Sequence, residues 1–237
     1  MLLGVDYYPE QWNIDLMEQD MDTIVEMGCN VIRIAEFSWH MMEKREGQFD
    51  FSFFDHVIEE AKKRNLKVIM GTPTATIPAW LAKKYPDILS EFEGGKKRSF
   101  GGRHVYCFNS ATMYAYSEKI VRALVEHYKN EEAIVAWQID NEIGHEGSDI
   151  CYCENCQKKF QQYLSETFQG QIDRLNDTYR VVVIRDLIQG RSHFRIIYMF
   201  SKSTAWEIVH NNYPVWGGQK EPIAPHEIAF GLDLYEA

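Results

Sequence analysis

The chain alternates between short apolar runs and longer segments in which apolar residues recur every three or four positions. The apolar runs predict β-strands near residues 2–8, 31–37, 67–71 and 133–139. The periodic segments predict helices near residues 14–27, 52–61, 77–89 and 111–129. In the first helix the apolar stripe consists of Ile14, Met17, Met21, Ile24 and Val25. Apolar, β-branched runs separated by amphipathic helices are typical of parallel strands buried on both faces.

Four such β/α units are half of an eight-fold barrel. The sequence therefore predicts an α/β fold, a partial (β/α)8 TIM barrel made of about the first four β/α units plus an irregular C-terminal segment. A doubly wound open sheet is the alternative, and it is expected to carry a glycine-rich phosphate loop after its first strand. Here that turn reads Asp6-Tyr7-Tyr8-Pro9-Glu10, which favours the barrel.

The pattern changes after about residue 179. Residues 180–202 carry a single acid, Asp186, and five basic residues in an otherwise acidic chain: Arg180, Arg185, Arg191, Arg195 and Lys202. The apolar residues of this stretch keep no clear period. We expect a half-barrel domain over 1–178, a divergent or rearranged segment over 179–211, and a short C-terminal remnant over 212–237.

Composition and charge narrow the class of protein. A chain of 237 residues that is 45% hydrophobic can bury one sizeable core. A net charge of −10 argues against a nucleic-acid or anionic-membrane partner, which calls for a basic surface. No segment approaches the roughly 20 apolar residues of a membrane span, and the N-terminus lacks signal-peptide features. Five cysteines, an odd number, fit a disulfide framework poorly, so we expect a cytoplasmic protein.

Polar residues at the carboxyl ends of the predicted strands are the candidate active-site residues, because barrel enzymes build their sites there. Strand ends carry Asp6, Glu36, Thr72 and the run Asp140-Asn141-Glu142. This ring of oxygen and amide groups suits a polyhydroxylated ligand. Glycosidases use two carboxyl groups, one of which protonates the leaving oxygen. Glu142 fits that acid role, with Asn141 placed to hydrogen-bond a sugar hydroxyl; a solvated or salt-bridged carboxylate is the alternative.

The cysteine spacing predicts a metal site. Cys151, Cys153 and Cys156 can place three thiolates around one tetrahedral ion, and Cys107 can supply the fourth. A four-thiolate site has no open position, so the metal would be structural. Arg103 lies four residues before Cys107, and a metal that fixes this loop could direct Arg103 into the site; a surface arginine is the alternative. We do not expect the flanking His104 and His145 to be ligands.

The chain resembles the N-terminal barrel of the family 42 glycoside hydrolases, the microbial β-galactosidases. The resemblance rests on residues 4–12, 31–39, 73–86, 102–107, 137–142 and the cysteines at 151–156. It covers residues 1–178 and returns more briefly at 212–234. It implies a retaining β-galactosidase with Glu142 as general acid/base, Arg103 and Asn141 as substrate contacts, and a structural zinc on the four cysteines. Intact relatives are often homotrimers.

One departure from the family bears on activity. The family nucleophile is a glutamate at the end of the seventh strand, and we expect this copy to be incomplete and to have little activity without it. The basic stretch near 180–210 is interpreted as a frame-shifted or rearranged segment. Two functions are the alternatives to a β-galactosidase. One is a related barrel glycosidase that acts on glucans or mannans, and the other is a non-catalytic, zinc-stabilised carbohydrate-binding module.

Overall fold

The central element of the fold is a four-stranded parallel sheet. The structure, a computed structural model, describes residues 1–143 and 150–179. Its strands are β1 (Gly4–Asp6), β2 (Val31–Ile34), β3 (Lys67–Gly71) and β4 (Ile134–Gln138), paired in the order β1-β2-β3-β4. Sequence-adjacent strands are spatial neighbours throughout, as in a β/α barrel.

One or two helices connect each strand to the next. The helices are α1 (Met17–Glu26), α2 (Trp39–Met42), α3 (Ser52–Lys63), α4 (Ala79–Lys84), α5 (Ala111–Tyr128), α6 (Glu154–Phe168) and α7 (Ile172–Tyr179). Helix α1 joins β1 to β2, α2 and α3 join β2 to β3, and α4 and α5 join β3 to β4. Helices α6 and α7 follow β4. The predicted α/β class and the four β/α units of a partial barrel are confirmed.

The core lies between the sheet and the connecting helices. All four residues of β2 are buried, as expected for a central parallel strand covered on both faces. From the helices, Met21, Phe54 and Leu124 are buried in the same cluster. Fully burying a side chain of this size contributes about 1.5–3 kcal/mol each. Strand β4 is more open, with Val135 exposed, because it forms one edge of the described sheet.

Two details of the predicted elements are wrong. Ile14 and Val25 were placed on the buried stripe of α1, yet both are exposed, and the inward face consists of Met17, Met21 and Ile24. The helix predicted over 77–89 ends as α4 at Lys84 and continues only as a 3-10 turn, Pro86–Ile88. Proline disfavours helical geometry in the residue before it, and Tyr85 accordingly leaves the helical region.

The predicted boundary between a half-barrel domain and the rearranged segment falls at the end of the described residues. Helix α7 extends to Tyr179, and the calls on 180–211 and 212–237 lie outside the part of the chain that the structure describes. None of the helices in residues 1–143 and 150–179 combines the length and apolar character that a membrane crossing requires.

Candidate active site and cysteine cluster

The turn after β4 presents Asn141 and Glu142. Asp140 and Glu142 adopt left-handed backbone conformations, with φ of +59° and +48°. Such values are uncommon for residues other than glycine and persist only where surrounding contacts fix them. Two contacts do so here: the Asp140 amide donates to Thr72 Oγ1 at 2.7 Å, and the Gln138 side chain donates to Asn141 Oδ1 at 3.1 Å.

Glu142 forms an ion pair with Arg103. The distance between Arg103 Nη1 and Glu142 Oε2 is 2.8 Å, and the carboxylate side chain is only 10% exposed. The Arg103 guanidinium also lies over the Phe37 ring, 4.6 Å from its centre. Arg103 is therefore held between an aromatic face at the end of β2 and the carboxylate at the end of β4.

A second set of contacts joins the loop that contains Arg103 to the turn that contains Glu142. His104 is buried, and its Nε2 lies 2.9 Å from Asp140 Oδ1. Tyr106 donates its hydroxyl to the Thr74 carbonyl at 2.9 Å and to Asp140 Oδ2 at 3.4 Å. The backbone N–H of Asn141 donates to Asp140 Oδ1 at 2.6 Å. Asp140 thus links the arginine loop to the turn that carries Glu142.

A charge network lies at the ends of β1 and β2, with Arg33 and Glu36 buried and Asp6 exposed. Arg33 contacts Asp6 at 2.7 Å and Glu36 at 2.9 Å. Burial raises the pKa of Tyr8, which therefore remains a neutral donor and bonds Glu36 at 2.7 Å. Glycine is required at position 71, because a Cβ atom there would lie 2.6 Å from the Glu36 Cβ. This close approach lets β3 cover Glu36 completely.

Glu10 provides a pH-dependent prediction. Burial raises the pKa of its carboxyl, although Ser38 donates to it at 2.6 Å. The folded protein therefore binds this proton more tightly than the unfolded chain, and the stability it contributes is lost as pH rises through the raised pKa. We expect Glu10→Gln, which keeps an acceptor for Ser38, to raise the melting temperature at neutral pH more than at acidic pH. A pH-independent difference from the parent, or an equal response to Glu26→Gln on the exposed face of α1, would contradict this.

The four predicted cysteines form one buried cluster. The Sγ atoms of Cys107, Cys151, Cys153 and Cys156 all lie within 4.8 Å of one another, and Cys107 Sγ is 3.4 Å from both Cys153 Sγ and Cys156 Sγ. None of the four forms a disulfide. Backbone amides of Glu91 and Asn109 donate to Cys151 and Cys107 at 3.4 and 3.3 Å, which favours thiolate character.

The spacing of the cluster is compatible with a metal site. A tetrahedral zinc ion with Zn–S bonds of about 2.3 Å needs sulfur atoms about 3.8 Å apart, and the Sγ atoms here lie between 3.4 Å and 4.8 Å from one another. Contact with Cys107 lowers the pKa of Cys151 to about 7 and also lowers the pKa of Cys153, whereas the other thiols raise the pKa of Cys107. Only part of the cluster can ionise without a cation, since adjacent thiolates repel one another. These residues could therefore hold a metal ion.

Most of the predicted site residues lie in one region. Glu142, Arg103 and Asn141 meet at the end of β4, and the four cysteines join the arginine loop to the segment after Glu142. His104, which was not expected to be a metal ligand and had no other predicted role, pairs with Asp140. The contact of the Phe37 ring with Arg103 was not predicted from the sequence. The clearest sequence signal for Asp140 is its residue type, because aspartate tolerates left-handed turns better than most residues.

The four parallel strands and the polar side chains at their carboxyl ends are typical of a β/α-barrel enzyme. Comparison with known proteins identifies the family. A family model described as β-galactosidase, for glycoside hydrolase family 42, matches residues 6–184. β-Galactosidase BgaA of Clostridium cellulovorans is 42% identical over 183 residues. The chain belongs to glycoside hydrolase family 42.

Solved structures agree with this assignment. The β-galactosidase of the haloarchaeon Halorubrum lacusprofundi matches 76% of this chain with a TM-score of 0.72 and 37% identity. The β-galactosidase of Bacillus circulans matches 79% with a TM-score of 0.72 and 38% identity. The match covers 77% of this chain but 27% of the Clostridium protein, and 27% and 28% of the two structures. The chain thus spans about a quarter of the length of the relatives it matches.

Proposed function

We propose that this chain supplies the acid/base half of a β-galactosidase active site, with Glu142 as the proton donor. The observation that carries the proposal is the contact between Arg103 and Glu142 at the carboxyl end of β4, where barrel enzymes place their chemistry. Membership in family 42 and the names of the relatives support galactosides as the substrate class.

Each residue has a distinct role in this proposal. Glu142 protonates the glycosidic oxygen and, in a retaining route, later activates water. Arg103 orients that carboxylate and contacts the sugar. With its carbonyl oxygen engaged by Gln138, Asn141 offers its amide N–H2 group to a sugar hydroxyl, the kind of contact that strengthens in the transition state.

The second carboxylate of a retaining site is the nucleophile, which the family resemblance places on the seventh strand. The described residues contain four of the eight strands of a complete barrel. We therefore expect residues 1–237, assayed without another polypeptide that contributes the nucleophile carboxylate, to hydrolyse galactosides slowly. The boundary at 178, the rearranged segment over 179–211 and the trimeric state of an intact protein stay predictions.

A structural zinc ion is part of the proposal. Cys107, Cys151, Cys153 and Cys156 would hold it, and a zinc ion with four thiolate ligands supplies folding energy rather than chemistry on the substrate. Its position supports this role, because Cys107 follows Arg103 by four residues and Cys151 follows Glu142 by nine. The site would thereby fix the arginine loop against the segment that follows the proton donor.

The proposed function is tested by completing the barrel. In a chimera, residues 1–179 replace the matching N-terminal segment of the Clostridium β-galactosidase, which is 42% identical over 183 residues. We expect the chimera to hydrolyse nitrophenyl β-galactoside, and the 237-residue chain assayed in parallel to be far slower.

The substrate panel separates the alternatives. Nitrophenyl β-glucoside and β-mannoside are assayed beside the galactoside, with the Clostridium enzyme as the reference. A folded chimera that prefers either of the other sugars would contradict the galactosidase assignment. A folded chimera that binds galactose without turnover would favour a carbohydrate-binding module instead.

A further inference from the structure

The turn that carries Glu142 has two left-handed residues, and a hydrogen bond between the buried His104 and the partly buried Asp140 holds it. We propose that Asp140 and His104 are positioning residues, whose mutual hydrogen bond sets the geometry at which Arg103 meets Glu142. The catalytic meaning of this geometry rests on the proposed function, since it requires Glu142 to be the proton donor. The geometry itself can be measured without activity.

The direction of the hydrogen bond follows from the chemistry of the groups. A carboxylate oxygen only accepts, so His104 Nε2 carries the proton that it donates to Asp140 Oδ1 across 2.9 Å. His104 is only 1% exposed, so losing this partner would leave a buried donor unsatisfied. The backbone of His104 is fixed as well, because its amide donates to the Ala75 carbonyl at 2.8 Å. The ring is therefore a rigid support for the Asp140 carboxylate.

Asp140 transmits this support to the proton donor. Its carboxylate accepts from His104, from the Tyr106 hydroxyl and from the Asn141 amide, and its own amide bonds Thr72. These contacts fix the peptide units immediately before Glu142. His104 directly follows Arg103, and Asp140 lies two residues before Glu142. The hydrogen bond between His104 and Asp140 therefore connects the two segments that carry the ion pair. Loss of that bond frees the loop and the turn to separate.

The experiment reads the position of Arg103 by NMR in the 237-residue chain. The side-chain Nε–H signals of 15N-labelled arginine are recorded, with Arg103 assigned by its loss in Arg103→Lys. In the parent, stacking on Phe37 and pairing with Glu142 displace this signal from those of solvated arginines. We expect Asp140→Ala, which removes the acceptor, and His104→Ala, which removes the donor, each to return it to the solvated position. His104→Gln, which keeps an N–H donor, should preserve it.

Two controls separate positioning from general destabilisation. Arg33 and Arg64 donate through Nε to Glu36 and Asp22, and their signals in the same spectra report the integrity of the fold. The matched variant is Asp55→Ala, since Asp55 also accepts from a histidine, His127 at 2.8 Å, and from a tyrosine hydroxyl, away from the site. It should leave the Arg103 signal unchanged. An Arg103 signal that stays at its parent position in Asp140→Ala and His104→Ala, or that moves only together with those of Arg33 and Arg64, overturns the proposal.

A kinetic readout links the geometry to the proposed function. In the chimera, Asp140→Ala should lower kcat by about 10²-fold with little change in KM, as expected when a catalytic group is misplaced by about 1 Å. A chimera without galactosidase activity would contradict the proposed function and leave the NMR result standing. An active chimera with an unchanged kcat in Asp140→Ala would contradict the positioning role alone.

Discussion

Glu142→Gln in the chimera is expected to lower kcat/KM for galactosides with poor leaving groups by about 10²–10⁴-fold, the usual contribution of a general acid. Glutamine preserves the shape of the side chain and removes its transferable proton. The loss should shrink sharply for dinitrophenyl β-galactoside, because that leaving group departs without protonation. Steady-state kinetics over a series of substituted phenyl galactosides measures both effects.

The control for this prediction is Glu132→Gln. Glu132 is exposed and precedes β4, at the opposite end of the strand from Glu142. Its replacement should leave all rates unchanged. A Glu142→Gln chimera whose loss is the same for good and poor leaving groups would show that Glu142 is not the proton donor, whatever its effect on affinity.

Removal of the metal is expected to have the second large effect. Cys107→Ser should abolish the binding of one zinc ion per chain and lower the free energy of unfolding by about 4 kcal/mol or more, a cost typical of losing a structural metal. The cause is the loss of the metal ion, whose binding energy no longer offsets the burial and mutual repulsion of the three remaining thiols, in a cluster whose sulfur atoms lie within 4.8 Å of one another. Elemental analysis of the purified 237-residue chain, together with thermal melts with and without a chelator, provides the measurement.

Cys29→Ala is the matched control for the cluster. Cys29 is buried in the main hydrophobic core and does not belong to the four-cysteine group. Its replacement should leave the zinc content at one ion per chain and the chelator sensitivity intact. A parent protein that contains no zinc, and whose melting is insensitive to a chelator, would contradict the metal proposal.

Much of the fold could be predicted from the sequence because its signals are local. The third strand was placed at 67–71, where the structure has it, and the helix predicted over 111–129 is α5, Ala111–Tyr128. Both have strong periodicity and clear boundaries; at Ser110, for example, the hydroxyl caps α5 by accepting from the Met113 amide. Helix α4 was predicted too long because the effect of Pro86 on Tyr85 was not taken into account.

The site was harder to predict because its contacts are long-range. Arg103 and Glu142 are 39 residues apart and His104 and Asp140 are 36 apart, so no periodicity or spacing relates them. From sequence alone, Arg103 could equally have been a surface residue. The cysteines were easier, since three of the four lie within six residues and their spacing is typical of ligands to one metal ion.

The most direct test of the central claim is product analysis of the Glu142→Ala chimera with dinitrophenyl β-galactoside and sodium azide. If Glu142 is the acid/base, Glu142→Ala leaves room for azide beside the galactosyl-enzyme intermediate. Azide is already an anion, so it can attack this intermediate without a general base. We expect azide to accelerate turnover and the product to be β-galactosyl azide, which has the same anomeric configuration as the substrate. Turnover that is indifferent to azide and yields only galactose at the parent rate would contradict that claim.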